Sequence, residues 1–178
     1  MTAITKLGIG MPTNGLCEGR TTMSLLSAVL NIPGIVIQPL LGLGCYVHIN
    51  RQMIADEALK SECSHLLMVD SDMMFGCDAI VRLMNNNKDI VAARYNKRII
   101  PTVSTVLGDF TQPTEVPFLP AGFMLVNCDV FKKIGKPYFS HQDAESEDVY
   151  FCEKAKKNGY KLICDPTIQV GHLGTAVF

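Results

Sequence analysis

The sequence predicts an α/β fold, a mostly parallel sheet flanked by helices that becomes mixed and partly antiparallel in its C-terminal half. Three observations carry this prediction. Through the first hundred residues, short apolar runs alternate with amphipathic segments over short connections, the pattern of parallel strands joined by crossover helices. At positions 65–69 the run His-Leu-Leu-Met-Val is apolar after its first residue and stops at Asp70, as a strand covered on both faces by helices does. Beyond Arg94 the chain turns loop-rich, with three prolines between Gly108 and Pro120. A length of 178 residues suits one domain, 1–178, read as a first half 1–100 and a second half 101–178.

Each element has a local reason. Leu7 to Met11 is a first strand ended by Pro12-Thr13-Asn14-Gly15, a loop able to present backbone and hydroxyl groups. From Thr21 or Thr22 the spacing of Met23, Leu26 and Leu30 predicts a helix with that face inward, closed by Pro33-Gly34. Ile35 to Ile37 reads as a second strand, the glycine-rich segment to Gly44 as a loop, and His48 to Leu59 as a helix with Ile49, Met53 and Ala58 or Leu59 inward. After the strand at 65–69, Asp78 can cap a helix with Ile80, Leu83 and Met84 on one side, which Asn85-Asn86-Asn87 ends before a strand at Asp89 to Ala93.

In the second half, Thr102 to Leu107 reads as β-rich, Gly108 to Pro120 as a loop and Gly122 to Val126 as a strand. Asp129 can cap a short helix ending at Gly135, the stretch from Pro137 to Ala144 is irregular, and Glu147 to Asn158 forms a helix stopped by Gly159. Tyr160 to Cys164 and Ile168 to Val170 are the last strands. There is no internal repeat, low-complexity segment or interdomain linker.

With 16 basic and 17 acidic side chains the net charge is -1, so the balance does not announce nucleic acid or an anionic membrane. The 7 cysteines form no Cys-x-x-Cys pair and are odd in number, which argues against a zinc cage and a secreted disulfide framework. Reduced thiols and a cytoplasmic location are expected. No signal peptide or membrane span is visible, since the most apolar stretch, Ile32 to Val47, is broken by prolines and glycines.

Chemistry concentrates at a few places. Asp70 and Asp72 stand at the carboxyl end of a buried strand, where ligands bind in open parallel sheets, and paired hard oxygens suit Mg²⁺ or Mn²⁺ carrying a phosphate. Asp-Ser-Asp is equally good turn chemistry. Glu145, Glu147 and Asp148 precede the last helix, where a serine and acids suit the helix dipole and where a carboxylate could take a proton from an attacking hydroxyl. His172 lies in a glycine-flanked turn where an imidazole could complete a metal's coordination. Arg51 starts a helix after Asn50, and Arg94 and Arg98 follow a strand end, where cations could hold a diphosphate.

In their order along the chain, the initial strand with Pro12-Thr13, Asn50-Arg51, Leu66 to Asp72, Pro120 to Met124, Ser146-Glu147-Asp148 and Gly171-His172 resemble a nucleotide-sugar-dependent glycosyltransferase of the GT-A fold with an Asp-x-Asp motif. The chain is similar to family-two-like members, small phage-encoded ones among them. The resemblance implies that 1–100 is a nucleotide-binding half and 101–178 an acceptor and catalytic half. It implies that Asp72 binds the metal directly, that Asp70 contacts the ribose or the metal, and that a late histidine, His172, ligates the metal. It places Pro12 and Thr13 at the base, includes Arg51, Arg98 and Gly122 in the nucleotide-sugar site, and makes Asp148, with Glu147 as neighbour, the catalytic acid pair. Mn²⁺ or Mg²⁺ is the implied cofactor and a UDP-sugar the expected donor. The acceptor, a nucleic acid included, the stereochemistry and the oligomeric state stay open.

Three other readings meet the same residues. A haloacid-dehalogenase-type phosphatase also has Asp-x-Asp after an apolar strand, but Met74 stands where its motif has Thr or Val. A sugar-nucleotide-forming nucleotidyltransferase wants a glycine-rich basic loop after the first strand, which Gly10 to Arg20 matches poorly. A non-catalytic nucleotide- or carbohydrate-binding module of the same fold would bind without turnover.

Overall fold

The computed structural model of the chain describes residues 4–99, 101–141 and 146–174. Its elements run β1 (Lys6–Thr13), α1 (Gly19–Leu30), β2 (Val36–Leu43), α2 (Val47–Lys60), β3 (His65–Val69), β4 (Met73–Phe75), α3 (Ala79–Asn85) and β5 (Ile90–Ala93). They continue with β6 (Thr114–Glu115), β7 (Phe123–Asn127), α4 (Cys128–Ile134), α5 (Glu147–Lys157), β8 (Ile163–Asp165) and β9 (Val170–His172). Seven strands form one sheet in the order β2-β1-β3-β7-β5-β8-β6, and β4 pairs with β9 in a small second sheet. β1 is parallel to β2 and β3, and β5 to β8, whereas β7 runs antiparallel to both β3 and β5. A strand from the second half thus lies between two from the first.

All five residues of β3 are buried. The pleat divides them: Leu66 and Met68 join a core shared with α2, α4 and α5, while Leu67 and Val69 join one shared with α1 and α3. β7 alternates likewise, with Met124 and Val126 on the first side and Phe123 and Leu125 on the second. Among the described residues no helix is long and apolar enough to cross a membrane.

The structure changes several expectations. In α1 the buried positions are Thr21, Ser24 and Ala28, while Met23, Leu26 and Leu30 are exposed. The period is as predicted, but the phase differs by two residues, about 200° around the helix. The reason is a polar tether: Ser24 Oγ accepts the Phe75 N–H at 3.1 Å, which turns the small-residue face onto β4. In α2 the buried set is Asn50, Arg51, Ile54, Ala55 and Ala58, with Ile49 and Met53 exposed. A Cβ on Gly10 would lie 2.2 Å from Ile54 Cγ2, and one on Gly42 2.7 Å from the Asn50 carbonyl oxygen, so bare glycine backbone is what lets this helix come close.

β2 continues through Pro39 and Gly42, which read as breakers, because a strand at the sheet margin tolerates a missing N–H. The β-rich stretch at Thr102 to Leu107 is reduced to an isolated antiparallel bridge between Asn96 and Ser104. Asn127, not Asp129, caps α4, its side chain accepting the Asp129 N–H. His172 closes strand β9, paired with Met73, and is not in a free turn.

Candidate functional site

The carboxyl ends of β1, β2 and β3 and the end of β9 surround a cleft of about 310 Å³, whose wall includes Pro12, Thr13, Asn50, Asp70, Asp72, Arg98 and His172. Asp70-Ser71-Asp72 does form the turn from β3 into β4, and the turn is pinned on three sides. The Asp70 N–H donates to the Gly122 carbonyl at 2.9 Å, the Ser71 carbonyl accepts Glu18 N–H at 2.8 Å, and the Asp72 carbonyl accepts Leu173 N–H at 2.7 Å. Turn chemistry here serves to aim two acids into one cleft.

Asp72 holds two different environments on its two oxygens. Oδ2 pairs with Arg98 Nη1 at 2.8 Å, whereas Oδ1 is buried, has no hydrogen-bond partner among the described residues, and stands 3.5 Å from His172 Nε2. At that separation the His172 contact is an electrostatic one. Burial pushes the Asp72 carboxyl up, but the His172 imidazole and the Arg98 guanidinium outweigh it and hold it below the ordinary value. His172 Nδ1 lies 3.3 Å from the Asn96 carbonyl, and its ring meets Tyr95 edge-on at 5.5 Å. With a proton on Nδ1 directed at that carbonyl, the Nε2 lone pair faces Asp72 Oδ1. An imidazolium or a cation between the two groups satisfies that geometry, and a neutral ring alone does not.

Beneath the cleft lies Arg51, whose side chain is 4% exposed. Its Nη2 donates to Asp70 Oδ1 at 2.8 Å, its Nη1 to the Ala121 carbonyl at 3.1 Å and its Nε to Glu147 Oε1 at 3.2 Å. Burial alone would lower its pKa, but the charges of Asp70 and Glu147 reverse the sign and raise it. Gly122 lies behind Asp70, where a Cβ would be 2.4 Å from Tyr95 Oη and 2.8 Å from Asp70 Oδ2. The Tyr95 hydroxyl accepts the Gly122 N–H at 3.1 Å, and burial followed by the Asp70 charge drives that phenol well above its ordinary pKa. Tyr95 therefore stays protonated.

The predicted acid pair separates. Glu147 is buried, bound to Arg51 on one oxygen and 3.6 Å from His141 Nε2 on the other. Asp148 is half-buried and outside the cleft wall, its Oδ1 accepting the Val149 N–H at 2.9 Å and the Ser146 hydroxyl. Glu145 lies outside the described residues. Arg94 also turns away, donating to the Gly108 carbonyl and stacking over Phe110 at 5.3 Å.

Asn50, Tyr95 and Asn96 were not singled out from sequence as site residues. Asn50 Nδ2 donates to the carbonyls of Thr13 and Gly44, joining the ends of β1 and β2 at the cleft floor. Only its place directly before Arg51 hinted at this, and for Tyr95 and Asn96 no spacing signal exists. No group of three or more His, Cys, Asp and Glu among the described residues is arranged to hold a metal. Asp72 and His172 supply two donors, which fits an ion such as Mg²⁺ or Mn²⁺ that takes few protein ligands and completes its shell with phosphate oxygens and water.

No family model matches the chain, and no curated protein matches it. Solved structures do. The crystal structure of A197 from STIV superposes with a TM-score of 0.72 at 18% identity, over 96% of this chain and 86% of that one. The crystal structure of GalNAc-T7 with UDP, GalNAc and Mn²⁺ superposes with a TM-score of 0.59 at 11% identity, over 96% of this chain and 44% of that one. At these identities the likeness shows the fold: a mixed α/β architecture of GT-A type.

Proposed function

We propose that the chain is a metal-dependent glycosyltransferase that moves a sugar from a nucleoside diphosphate sugar, in the first instance a UDP-sugar, to a hydroxyl acceptor. The observation that carries this is Asp72 Oδ1, a buried carboxylate oxygen without a hydrogen bond among the described residues, facing an imidazole in a cleft at the strand ends of a GT-A-type sheet. A buried acceptor whose neighbour is an imidazole at 3.5 Å is poorly satisfied, and a cation held between the two groups would satisfy both. Asp72 and His172 would hold Mn²⁺ or Mg²⁺, with Asp70 beside them, and the bound ion would supply Lewis-acid stabilisation of charge on the leaving diphosphate. Likeness to a fold that in GalNAc-T7 is seen with UDP and Mn²⁺ supports the same reading.

The chain's own groups divide the remaining work. Pro12, Thr13 and Arg98 line the cleft; Pro12 and Thr13 would hold the base, and Arg98 would bring a cation to the diphosphate. Arg51 and Gly122 fix Asp70 from below and behind. Asp148, at the start of α5, would take the acceptor proton in an inverting displacement, and Glu147 would hold that helix start on Arg51.

A specific observation favours a second reading. Asp148 Oδ1 is engaged at its own helix start and the residue does not line the cleft, which suits a binding module that has no acceptor chemistry. One experiment addresses both. Thermal shift with UDP and UDP-sugars, with and without Mn²⁺, should show stabilisation that needs the metal and is lost in Asp72→Ala, and donor turnover should accompany it. Stabilisation without turnover of any sugar nucleotide selects the binding module, and no shift with any nucleotide overturns the proposal.

A further inference from the structure

Two arginines touch the acids of the cleft, and they are held in opposite ways. Arg51 is buried and anchored at three points on three elements. Arg98 is anchored at two: its Nη1 meets Asp72 Oδ2 at 2.8 Å and the Leu173 carbonyl at 3.4 Å, while half of its side chain is exposed. It belongs to the segment after β5 that is tied back by the Lys97 N–H to Val103 carbonyl bond and the Asn96–Ser104 bridge, not by a strand ladder. A half-exposed guanidinium loses far less on giving up a carboxylate for water than a buried one does.

We propose that Arg98 is a resident counter-cation, which neutralises Asp72 while no donor is present and is exchanged for a divalent ion when a nucleoside diphosphate enters, the guanidinium then passing to the diphosphate. The inference rests on the donor-site reading above and assigns that site its order of assembly. A divalent cation on Asp72 Oδ1 would share one negative charge with the guanidinium held at 2.8 Å on Oδ2, and the two positive charges repel, so each weakens the other's hold on the carboxylate. A metal arriving alone therefore weakens the Arg98 pair and offers the guanidinium no new anion in return, leaving it the Leu173 carbonyl and water. A metal arriving with a diphosphate gives Arg98 a new anionic partner inside the same cleft, so each ligand lowers the barrier to the other. Coupling of this kind is reciprocal: nucleotide tightens metal binding by the factor that metal tightens nucleotide binding. Asp72 Oδ1 and the nearby His172 Nε2 would take the exchanged ion, and Arg98 lines the same wall.

The test is calorimetric titration of Mn²⁺ alone, of UDP alone and of Mn²⁺ in the presence of UDP, on the full chain and on Arg98→Gln, with Mn²⁺ electron paramagnetic resonance as a second readout. Melting curves of both proteins check that the half-exposed substitution leaves the fold intact, and Arg98→Lys, which keeps the charge, serves as the second variant. For Arg98→Gln, Mn²⁺ alone should bind about tenfold tighter than to the unsubstituted chain, while the enhancement of Mn²⁺ binding by UDP should fall by a similar factor. Arg98→Lys should lie between the two. Unchanged or weaker binding of Mn²⁺ alone to Arg98→Gln overturns the exchange, even where the unsubstituted chain shows UDP-dependent Mn²⁺ binding and the donor-site reading stands. If neither protein takes up Mn²⁺ with or without UDP, both the exchange and the donor-site reading fall.

Discussion

Arg51 Nη2 and Asp70 Oδ1 meet at 2.8 Å beneath the cleft, and the same guanidinium reaches Glu147 and the Ala121 carbonyl. One buried cation thus joins α2, the end of β3, the start of β7 and the start of α5. Removing it leaves two carboxylates and a carbonyl facing one another with reduced access to water. Arg51→Met should lower unfolding free energy by about 3 to 5 kcal/mol, the usual result of breaking a buried pair from one side. Denaturant titration checks this, and a loss below about 1 kcal/mol would show that the freed carboxylates reach water.

Gly122→Ala probes the packing behind Asp70. A Cβ there has Met73 Cε and Tyr95 Oη at 2.4 Å and Asp70 Oδ2 at 2.8 Å, all too close for contact. Overpacking of a filled site is destabilising by about 1 to 3 kcal/mol. Because Asp70 is among the groups that must give way, UDP–Mn²⁺ binding should weaken as well. A stability loss with unchanged ligand affinity would mean that Tyr95 and Met73 absorb the whole displacement.

The acid pair at the start of α5 should respond asymmetrically. Glu147→Gln removes a charge that Arg51 needs, so it should lower the melting temperature and disturb the cleft only through Arg51. Asp148→Asn should leave the melting temperature and UDP–Mn²⁺ affinity nearly unchanged, and should reduce kcat for transfer by about 10²- to 10⁴-fold if it takes the acceptor proton. Full transfer by Asp148→Asn would remove it from that role.

His65, at the opposite end of β3 from the aspartates, gives a pH signature. Burial lowers its pKa below the ordinary 6.5, partly opposed by the nearby charges of Asp89 and Asp129. Between its folded and unfolded pKa values the unfolded chain binds more protons, so stability rises with pH through that window. The contribution of a neutral His65 is complete above pH 6.5 and declines as pH falls below it, by at most about 1.4 kcal/mol per pH unit. Urea unfolding at pH 7.5 and 5.5 should show a smaller drop for His65→Gln than for the unsubstituted chain. Equal drops would place the pH sensitivity elsewhere.

The alternation of strand and helix, the buried β3 and the two acids at its end are legible in the sequence because local spacing and a continuous apolar run express them directly. Helix ends followed Gly135, Gly159 and the Asn85-Asn86-Asn87 run for the same reason. The antiparallel placement of β7 between β3 and β5 has no local signal, since an apolar strand reads the same in either direction.

What only the tertiary structure decided is phase and partnership. Periodicity in α1 and α2 is visible in the sequence, but which stripe faces inward was set by Ser24 reaching Phe75 and by Gly10 and Gly42 admitting α2 closely, so small and polar residues went in together with Ile54, and Met23, Leu26 and Met53 stayed out. The same holds for charge. The sequence by itself determined that Asp70, Asp72, Glu147, Asp148 and His172 exist at element ends; Arg51, expected to start a helix, lies in the second turn of α2, and Arg98 lies in the loop beyond β5. Three-dimensional proximity alone decided that Arg51 is a buried clamp, that Arg98 and His172 share Asp72, and that Glu147 is spent on Arg51. An ion pair between residues dozens of positions apart depends on distance and desolvation, and neither is written in local spacing.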